Sequence, residues 1–351
     1  MAGLCRADAS GVTWRTEVML HGPDSGIPEH APVLLRETIE LLGCRPGRRY
    51  VDATVGLGGH AEAILERIQP GGVLLGLDRD EEALAIARRR LARYAASVRL
   101  LHENFKNLPL VLNNTGLRPV DGILADLGVS SFQLLSPERG FSFQADSMLD
   151  MRMDKSQRLT AADLLNSLNE DQLGDILRRY GEERYARRIA RTIVAKRRKG
   201  AITRCLQLAD LIRQSVPVRG APAIHPATRT FQALRIAVNQ ELEGLEDFLI
   251  EAVTFLEPGG RLVVIAFHSL EDRIVKQAFR RLAGQCVCGR PVELCLCPRR
   301  RDVRLVTARA VKPGNEELSQ NPRSRSARLR CVERTNEFGP ESRKPGTTRM
   351  V

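Results

Sequence analysis

The feature that most constrains the fold of this chain is a glycine-rich turn at residues 52–60, Asp-Ala-Thr-Val-Gly-Leu-Gly-Gly-His. A short apolar run at 49–53 leads into it and predicts a strand, and an amphipathic run at 60–68 leaves it and predicts a helix. Glycines let a backbone turn sharply and approach a ligand closely. This order of strand, turn and helix is typical of the first unit of a ligand-binding α/β sheet.

The same alternation continues after the turn. Apolar runs at 73–77, 98–102 and 120–127 predict strands, and the stretch at 81–94 predicts a helix with Leu84, Ala87 and Leu91 on one face. Strands that alternate with helices in this way favour a mostly parallel sheet covered by helices on both faces. The chain is therefore predicted to have a Rossmann-like α/β fold.

The pattern changes in the middle of the chain. Between 133 and 221 no convincing strand is predicted, whereas Thr160 and Asn169 are placed to cap helices. This segment is interpreted as an inserted all-α domain. The α/β pattern then resumes, with one long helical stretch at 230–256, a turn at 257–260, strands at 261–267, 303–308 and 327–333, and a helix at 270–282.

These patterns predict the domain organisation. The α/β domain is expected to comprise residues 30–132 and 222–335, interrupted by the helical insertion at 133–221. Residues 1–29 and 336–351 combine glycine, proline and mixed charge without periodicity, so a flexible leader and a disordered tail are expected.

Two acidic residues flank the glycine turn and indicate its ligand. Asp52 precedes the turn, and Asp78 ends the next strand, where a carboxylate can accept both hydroxyls of a ribose. A dinucleotide would prefer the spacing G-x-G-x-x-G, but the spacing here is G-x-G-G-H. Asp52 would repel a pyrophosphate and attract the ammonium and sulfonium of S-adenosylmethionine. The methyl donor is therefore favoured over NAD; the alternative is an ordinary glycine turn with Asp78 as a helix cap.

Asp126 ends the fourth predicted strand, and its side chain should face the same crevice as Gly58 and Asp78, because ligands bind beyond the carboxyl ends of such strands. An acceptor at this point could hold the hydrogens of an exocyclic amine and take a proton after methyl transfer. Asp126 is therefore the candidate catalytic residue; a turn cap or a contact to the cofactor is the alternative. His268 and Ser269 end a later strand, but adjacent residues point to opposite faces, so a nucleophilic pair is not expected.

The charge of the chain points to an anionic partner. Lys and Arg number 54 against 42 Asp and Glu, a net charge of +12, and ten of the basic residues lie within 178–199. Arg184, Arg188 and Arg191 have helical i, i+4, i+7 spacing, which suits RNA phosphates. A solvated helix face is the alternative. Aromatic residues make up only 4% of the chain, so base stacking should contribute little to recognition.

A cluster of cysteines and the absence of long apolar runs bear on metal binding and location. Cys286, Cys288, Cys295 and Cys297 could hold a structural zinc ion tetrahedrally, although C-x-C pairs are tighter than the usual C-x₂-C. The alternative is a set of reduced thiols in a surface loop. No run approaches the roughly 18 apolar residues that span a bilayer, and no signal peptide is recognised. We therefore expect a cytoplasmic protein with reduced cysteines and no membrane partner.

Long stretches of the chain resemble one family, the bacterial ribosomal RNA small-subunit methyltransferase H or MraW family. The resemblance extends from about His30 to Arg334. Many long stretches occur in the same order, so the resemblance is far more specific than a glycine motif alone. The matching stretches are DATVGLGGHA (52–61), LDRD (77–80), DLGVSSFQL (126–134), RGFSF (139–143), LDMRMD (149–154), YGEERYARRIA (180–190), HPATRTFQALRIAVNQEL (225–242), FHSLEDRIVK (267–276) and NPRSRSARLR (321–330).

The resemblance implies a class I S-adenosylmethionine-dependent methyltransferase fold with a helical insertion. It also implies methyl transfer to the N4 amine of a cytidine in the decoding region of 16S rRNA, in the small ribosomal subunit. Phe105 would pack near the adenine, although it could equally belong to the core. The cofactor contacts that carry over are Gly58, Gly59, His60, Asp78, Phe105, Asp126 and Gln133.

The resemblance does not cover every feature, and other functions stay open at this point. The resemblance assigns no catalytic base to any residue of this chain. Members of the family need neither the leader nor the cysteine cluster. A methyltransferase acting on a DNA or other RNA amino group is an alternative, but DNA enzymes of this kind often carry (D/N/S)-P-P-(Y/F) where this chain has Asp-Leu-Gly-Val at 126–129. A non-catalytic RNA-binding protein would be expected to have a degraded cofactor turn. The oligomeric state is not predicted.

Overall fold

The structure is a computed structural model that describes residues 32–217, 225–290, 294–295 and 301–336. The predicted leader at 1–29 lies outside the described residues. The predicted tail lies outside them from residue 337 onward, as does Cys297.

A seven-stranded sheet forms the centre of the α/β domain, in the order β3-β2-β1-β4-β5-β7-β6. Strands β1 to β5 run parallel, whereas β7 runs antiparallel to both β5 and β6. This order, with one antiparallel strand near the edge, confirms the predicted Rossmann-like α/β fold with a mostly parallel sheet. The strands are β1 Arg49–Asp52, β2 Val73–Asp78, β3 Val98–His102, β4 Val120–Asp126, β5 Leu256–Ala266, β6 Val303–Leu305 and β7 Arg328–Arg334.

Helices account for most of the remaining described residues. The longest, α12, has 14 residues, whereas about 20 apolar residues are needed to cross a bilayer; no described helix meets that requirement. The helices are α1 Leu35–Leu42, α2 Gly59–Ile68, α3 Glu81–Arg90, α4 Leu108–Thr115, α5 Ser131–Leu135, α6 Ala161–Ser167, α7 Glu170–Gly181, α8 Ala186–Arg197, α9 Cys205–Ser215, α10 Thr228–Asn239, α11 Leu245–Phe255, α12 Ser269–Leu282 and α13 Asn315–Gln320.

Two apolar layers cover the sheet. Successive side chains of a strand point to opposite faces, so Val51 and Leu75 join the core beneath α4, α11 and α12. Tyr50 and Leu74 join the core beneath α1, α2 and α3. The strands are therefore buried on both sides, which explains their nearly continuous apolar sequences.

The segment between β4 and β5 is helical, and the described part of 133–221 contains no named strand. Thr160 and Asn169 cap α6 and α7 through capping boxes, as their positions predict. These helices enclose a separate apolar core, to which α10 contributes Phe231 and Leu234. The helical packing thus includes α10, which lies beyond the predicted boundary at 221.

Two local predictions are wrong. The single helical stretch predicted at 230–256 is divided into α10 and α11 by left-handed backbone at Gln240 and Gly244, with φ of 49° and 67°. Because the backbone turns at this break, Glu241 lies beside Arg235. The Arg235 guanidinium donates two hydrogen bonds, of 2.7 and 2.8 Å, to the Glu241 carboxylate. The turn predicted at 257–260 is an irregular first part of β5, where the register with β4 shifts. Local apolar spacing does not reveal either feature.

Candidate active site

Three carboxyl groups meet at one edge of the sheet. Asp78, Asp52 and Asp126 end the neighbouring parallel strands β2, β1 and β4. The backbone N–H of Asp126 donates to Thr54 Oγ1 at 2.6 Å, which ties the first loop to the end of β4. The parallel topology thus brings together the acidic residues that the sequence analysis selected.

Asp78 closes the glycine turn onto β2. Its Oδ2 accepts the N–H of Gly56 at 2.6 Å, and its Oδ1 accepts the N–H of Asp80 at 2.8 Å. Asp78 does not cap a helix; the N-cap of α3 is Asp80, which accepts from the N–H groups of Glu82 and Ala83. A carboxylate has about four lone-pair sites, so Asp78 keeps the capacity to accept hydroxyls from a ligand.

The electrostatics of this edge favour a cation. Burial raises the pKa of Asp52 to about 7; the hydrogen bond from the N–H of Thr54 opposes this shift, and the neighbouring Asp78 adds a smaller increase. Burial also raises the pKa of Asp78 to about 6. Burial, with Asp52 and Glu271 nearby, raises the pKa of Asp126 well above its usual range. Asp52 Oδ2 and Asp126 Oδ1 are buried without a hydrogen-bond partner within the described structure.

A buried carboxylate is costly unless a positive charge or a hydrogen bond compensates it. Among the described residues, no lysine or arginine forms an ion pair with Asp52 or Asp126. The cluster therefore fits a ligand that brings its own positive charge, as S-adenosylmethionine would with its ammonium and sulfonium.

Glycine is favoured at three positions of the turn for three different structural reasons. A Cβ on Gly59 would lie 2.4 Å from Pro32 Cγ, so this glycine is needed for packing within the protein. Gly58 has φ of 83° and caps α2 in the left-handed region, which favours glycine. Gly56 has φ of 53°, and among the described residues no atom beyond its two chain neighbours lies within 4 Å of the place where its Cβ would be. The open side of the turn, available to a ligand, is therefore at Gly56.

His60 is buried beside the carboxyl cluster. Its Nε2 lies 3.1 Å from the carbonyl oxygen of Val33, so Nε2–H donates there. Its Nδ1 faces Asp126 Oδ2 at 3.5 Å. His60 thus connects the segment before α1 to the end of β4, and it shapes the wall next to Asp126.

Phe105 and Gln133 have clear roles within the protein. The ring of Phe105 packs edge-on against Phe248, with centroids 4.8 Å apart, and is half-buried against the core. Gln133 is buried; its Nε2 donates to Asp80 Oδ2 at 2.7 Å, and its Oε1 accepts the N–H of Ser130 at 3.1 Å. Both ends of the Gln133 amide therefore bond to protein groups that hold the start of α3 and α5.

Arg139 is a site-supporting residue that the sequence analysis missed. Its side chain is 1% exposed and contacts Asp80 and Glu82, each at 2.7 Å. It also donates to the carbonyls of Arg152 and Met153. A single arginine outside a charge run has no local signal for burial, so only long-range contacts could reveal this role.

The end of β5 forms the neighbouring rim. Ser269 Oγ donates to Glu182 Oε2 at 2.7 Å, and His268 Nδ1 accepts from the N–H of Glu271 at 3.4 Å. The two residues therefore bond to different partners, as their opposite directions predict. Glu271 Oε2 also accepts the N–H of Phe267 at 2.9 Å. Although burial opposes it, His268 and Arg235 hold the pKa of Glu271 below its usual range.

The basic segment lines a groove of about 670 Å³ along α7 and α8. Arg188 and Arg191 lie on α8, but Arg184 precedes this helix, so the predicted three-residue helical face is wrong at Arg184. Arg191 pairs with Glu170 of α7 at 3.3 Å. No ion pair involves Arg184 or Arg188 among the described residues, and both are exposed. Arg184 and Arg188 are thus the stronger candidates for phosphate contact.

The cysteine cluster lies in another segment, after α12. Cys286, Cys288 and Cys295 have Sγ atoms 3.4 to 3.7 Å apart. The structure thus brings together the three cysteines of the motif that it describes.

Comparison with known proteins gives a consistent result. Residues 28–335 match the model of the MraW methylase family. Three relatives carry the name "Ribosomal RNA small subunit methyltransferase H". The relative from Syntrophobacter fumaroxidans is 53% identical over 307 residues, and the aligned region covers 87% of this chain and 96% of the relative's length. Those from Pelobacter propionicus and Halothermothrix orenii are 52% and 48% identical, each covering 87% of this chain and 98% of its own.

Proposed function

Because the chain belongs to the MraW methylase family, we propose that it transfers a methyl group from S-adenosylmethionine to the N4 amine of a cytidine in the decoding region of 16S rRNA. Family membership makes it an S-adenosylmethionine-dependent rRNA methyltransferase. The cytidine and its N4 atom are the finer part of the proposal. The observation that carries it is the uncompensated carboxyl cluster beside the glycine turn.

The donor fits the residues at this edge of the sheet. Asp52 would face its positive charge, Asp78 would accept ribose hydroxyls, and the open side of Gly56 would leave room for its approach. When bound, the donor supplies an electrophilic methyl group on a positively charged sulfur. Gly58, Gly59 and His60 would hold the glycine turn in position against the donor. Phe105 and Gln133 would line the donor site, Phe105 from its packing on Phe248 and Gln133 from its hydrogen bond to Asp80.

Asp126 is the proposed acceptor for the target amine. The lone pair of an exocyclic amine is conjugated with the ring, and an acceptor on the amine hydrogens helps to free it. Asp126 Oδ1 is buried and has no hydrogen-bond partner among the described residues. Burial raises its pKa well above the usual range, so its ionised form, which the positive charge of a bound donor would favour, is a strong base for the proton that nitrogen loses after transfer. Holding the amine close and in line supplies much of the remaining acceleration.

The test of this function is an assay with radiolabelled S-adenosylmethionine. Small-subunit particles from a strain that lacks the protein are the substrate, with free 16S rRNA and duplex DNA as parallel samples. We expect label in N4-methylcytidine from the particle, in the cytoplasmic fraction where these particles occur. Label in a different nucleoside, or only in DNA, would contradict the proposal, as would the absence of label when the donor binds.

We expect donor affinity to rise with pH. Between pH 5 and 7.5, Asp52 and Asp78, with pKa values raised by burial to about 7 and about 6, lose their protons. A cationic donor binds the ionised forms, so affinity should increase roughly tenfold or more over this range. Isothermal titration calorimetry at several pH values measures it. Asp52→Asn should flatten most of the rise, and a flat profile for the unaltered protein would exclude a direct role for these carboxyls.

Charge reversal in the groove is expected to affect RNA rather than the donor. Arg184→Glu combined with Arg188→Glu should weaken binding to 16S rRNA at least tenfold and reduce the salt slope by about 1.5 to 2. Arg88→Glu, on the exposed side of α3, is the matched control and should leave both bindings nearly unchanged. Filter binding over a salt series measures the effect. Equal losses of RNA and donor affinity in the double variant would instead indicate misfolding.

A further inference from the structure

The connection between α12 and β6 is long, and its described residues contribute little to the apolar cores. It extends from residue 283 to 302, since α12 ends at Leu282 and β6 begins at Val303. Within its described part, only Ala283 packs against a core cluster, and Leu294 is 65% exposed. Most connections between elements are about 4–6 residues long, so a connection of this length needs something that orders it.

In the described part of this connection, backbone hydrogen bonds to α12 hold its base. The N–H of Gln285 donates to the carbonyl of Arg280 at 2.9 Å, and the N–H of Asp302 donates to Leu282 at 2.9 Å. Beyond this base, three thiols, Cys286, Cys288 and Cys295, lie in contact with one another. Thiols are weak donors and acceptors, so their mutual hydrogen bonds would contribute little to order.

The three sulfurs have the spacing of metal ligands. Their Sγ–Sγ distances are 3.4 Å, 3.4 Å and 3.7 Å. A tetrahedral zinc site with Zn–S bonds of about 2.3 Å has sulfurs about 3.8 Å apart. The sulfurs are also too far apart for disulfides, whose S–S bond is about 2.05 Å. One ion at the centre could therefore bind all three with shifts of a few tenths of an ångström.

We propose that Cys286, Cys288 and Cys295 bind a structural zinc ion that orders the connection between α12 and β6. Thiolate ligands favour zinc among the common divalent ions, since magnesium and calcium prefer oxygen. The ion joins residues up to nine positions apart in the chain, and thereby restricts the loop entropy that a weakly packed segment would otherwise retain. The site rests on the three described thiols and needs no contribution from the methyl-donor site.

The test uses the full chain purified without chelator. We expect about one zinc per chain by mass spectrometry of metals, and X-ray absorption at the zinc edge should show at least three sulfur ligands. Cys286→Ser combined with Cys288→Ser should reduce bound zinc at least fivefold, and Cys295→Ser should do the same. Tryptic cleavage within 283–302 should accelerate after chelation and slow again when zinc is restored.

Cys44→Ser is the matched control, because this thiol lies in the connection between α1 and β1, away from the cluster; it should retain zinc. Donor binding by the double variant checks that it is folded. The proposal is overturned if the full chain holds no zinc and takes none up, if iron or copper occupies the site, or if freshly purified protein has a disulfide between these cysteines. Unchanged zinc content in the folded double variant would also overturn it.

Discussion

Asp78→Ala is expected to weaken S-adenosylmethionine binding by about a hundredfold, which corresponds to about 2.7 kcal/mol. The change removes the carboxylate that would accept the ribose hydroxyls, and hydrogen bonds to charged groups contribute about 1.5–3 kcal/mol each. It also releases the N–H groups of Gly56 and Asp80, which Asp78 holds at 2.6 and 2.8 Å. We expect the free energy of donor binding to decrease by more than the free energy of unfolding.

Isothermal titration calorimetry measures this effect, with thermal melting as the check on folding. Glu81→Ala is the matched control: it removes a nearby carboxylate that is half-exposed and pairs with Arg88 on the surface. Its donor affinity should stay within about twofold, because exposed ion pairs contribute at most about 1 kcal/mol. Unchanged affinity in a folded Asp78→Ala variant would remove Asp78 from the cofactor site.

Arg139→Met is expected to reduce the free energy of unfolding by about 3–5 kcal/mol. Removing one partner of a buried ion pair leaves the other charge without compensation, which is strongly destabilising. Asp80 is 3% exposed at its side chain, and Arg139 is its buried cationic partner at 2.7 Å. The loss should spread to Gln133, whose amide bonds to the same carboxylate.

Urea denaturation followed by circular dichroism measures this change. Arg204→Met is the control, because Arg204 pairs with Asp146 at the same distance of 2.7 Å but about half-exposed. It should lose less than about 1 kcal/mol. Similar effects of the two substitutions would mean that burial of the Arg139 pair has no special cost.

The site was predictable where it depends on strand ends. In a parallel sheet the carboxyl ends of strands meet at one edge, so Asp52, Asp78 and Asp126 could be grouped from their positions after apolar runs. Helix caps such as Thr160 and Asn169 were predictable for a similar reason, since their partners lie three residues away. Each of these predictions uses short-range periodicity or topology.

Other features depend on contacts between distant segments. Glu170 of α7 neutralises Arg191 of α8, which a charge count along one helix could not anticipate. The burial of Arg139 requires the carboxylate of Asp80, which comes from another segment. The break after α10 places Glu241 beside Arg235, so that the two side chains form a hydrogen bond. The raised pKa values of the site carboxyls follow from burial, which no motif reports.

Residue order alone specified the alternation of strands and helices, the turn at 52–60 and the acidic strand ends, because these patterns repeat over a few residues. Packing in three dimensions assigned charges to partners and divided 230–256 into two helices. It also buried Asp52 and Asp126 without an ion pair to any lysine or arginine of the described residues. The reason is physical: the energy of a buried charge depends on every group that surrounds it, and most of those groups come from remote parts of the chain.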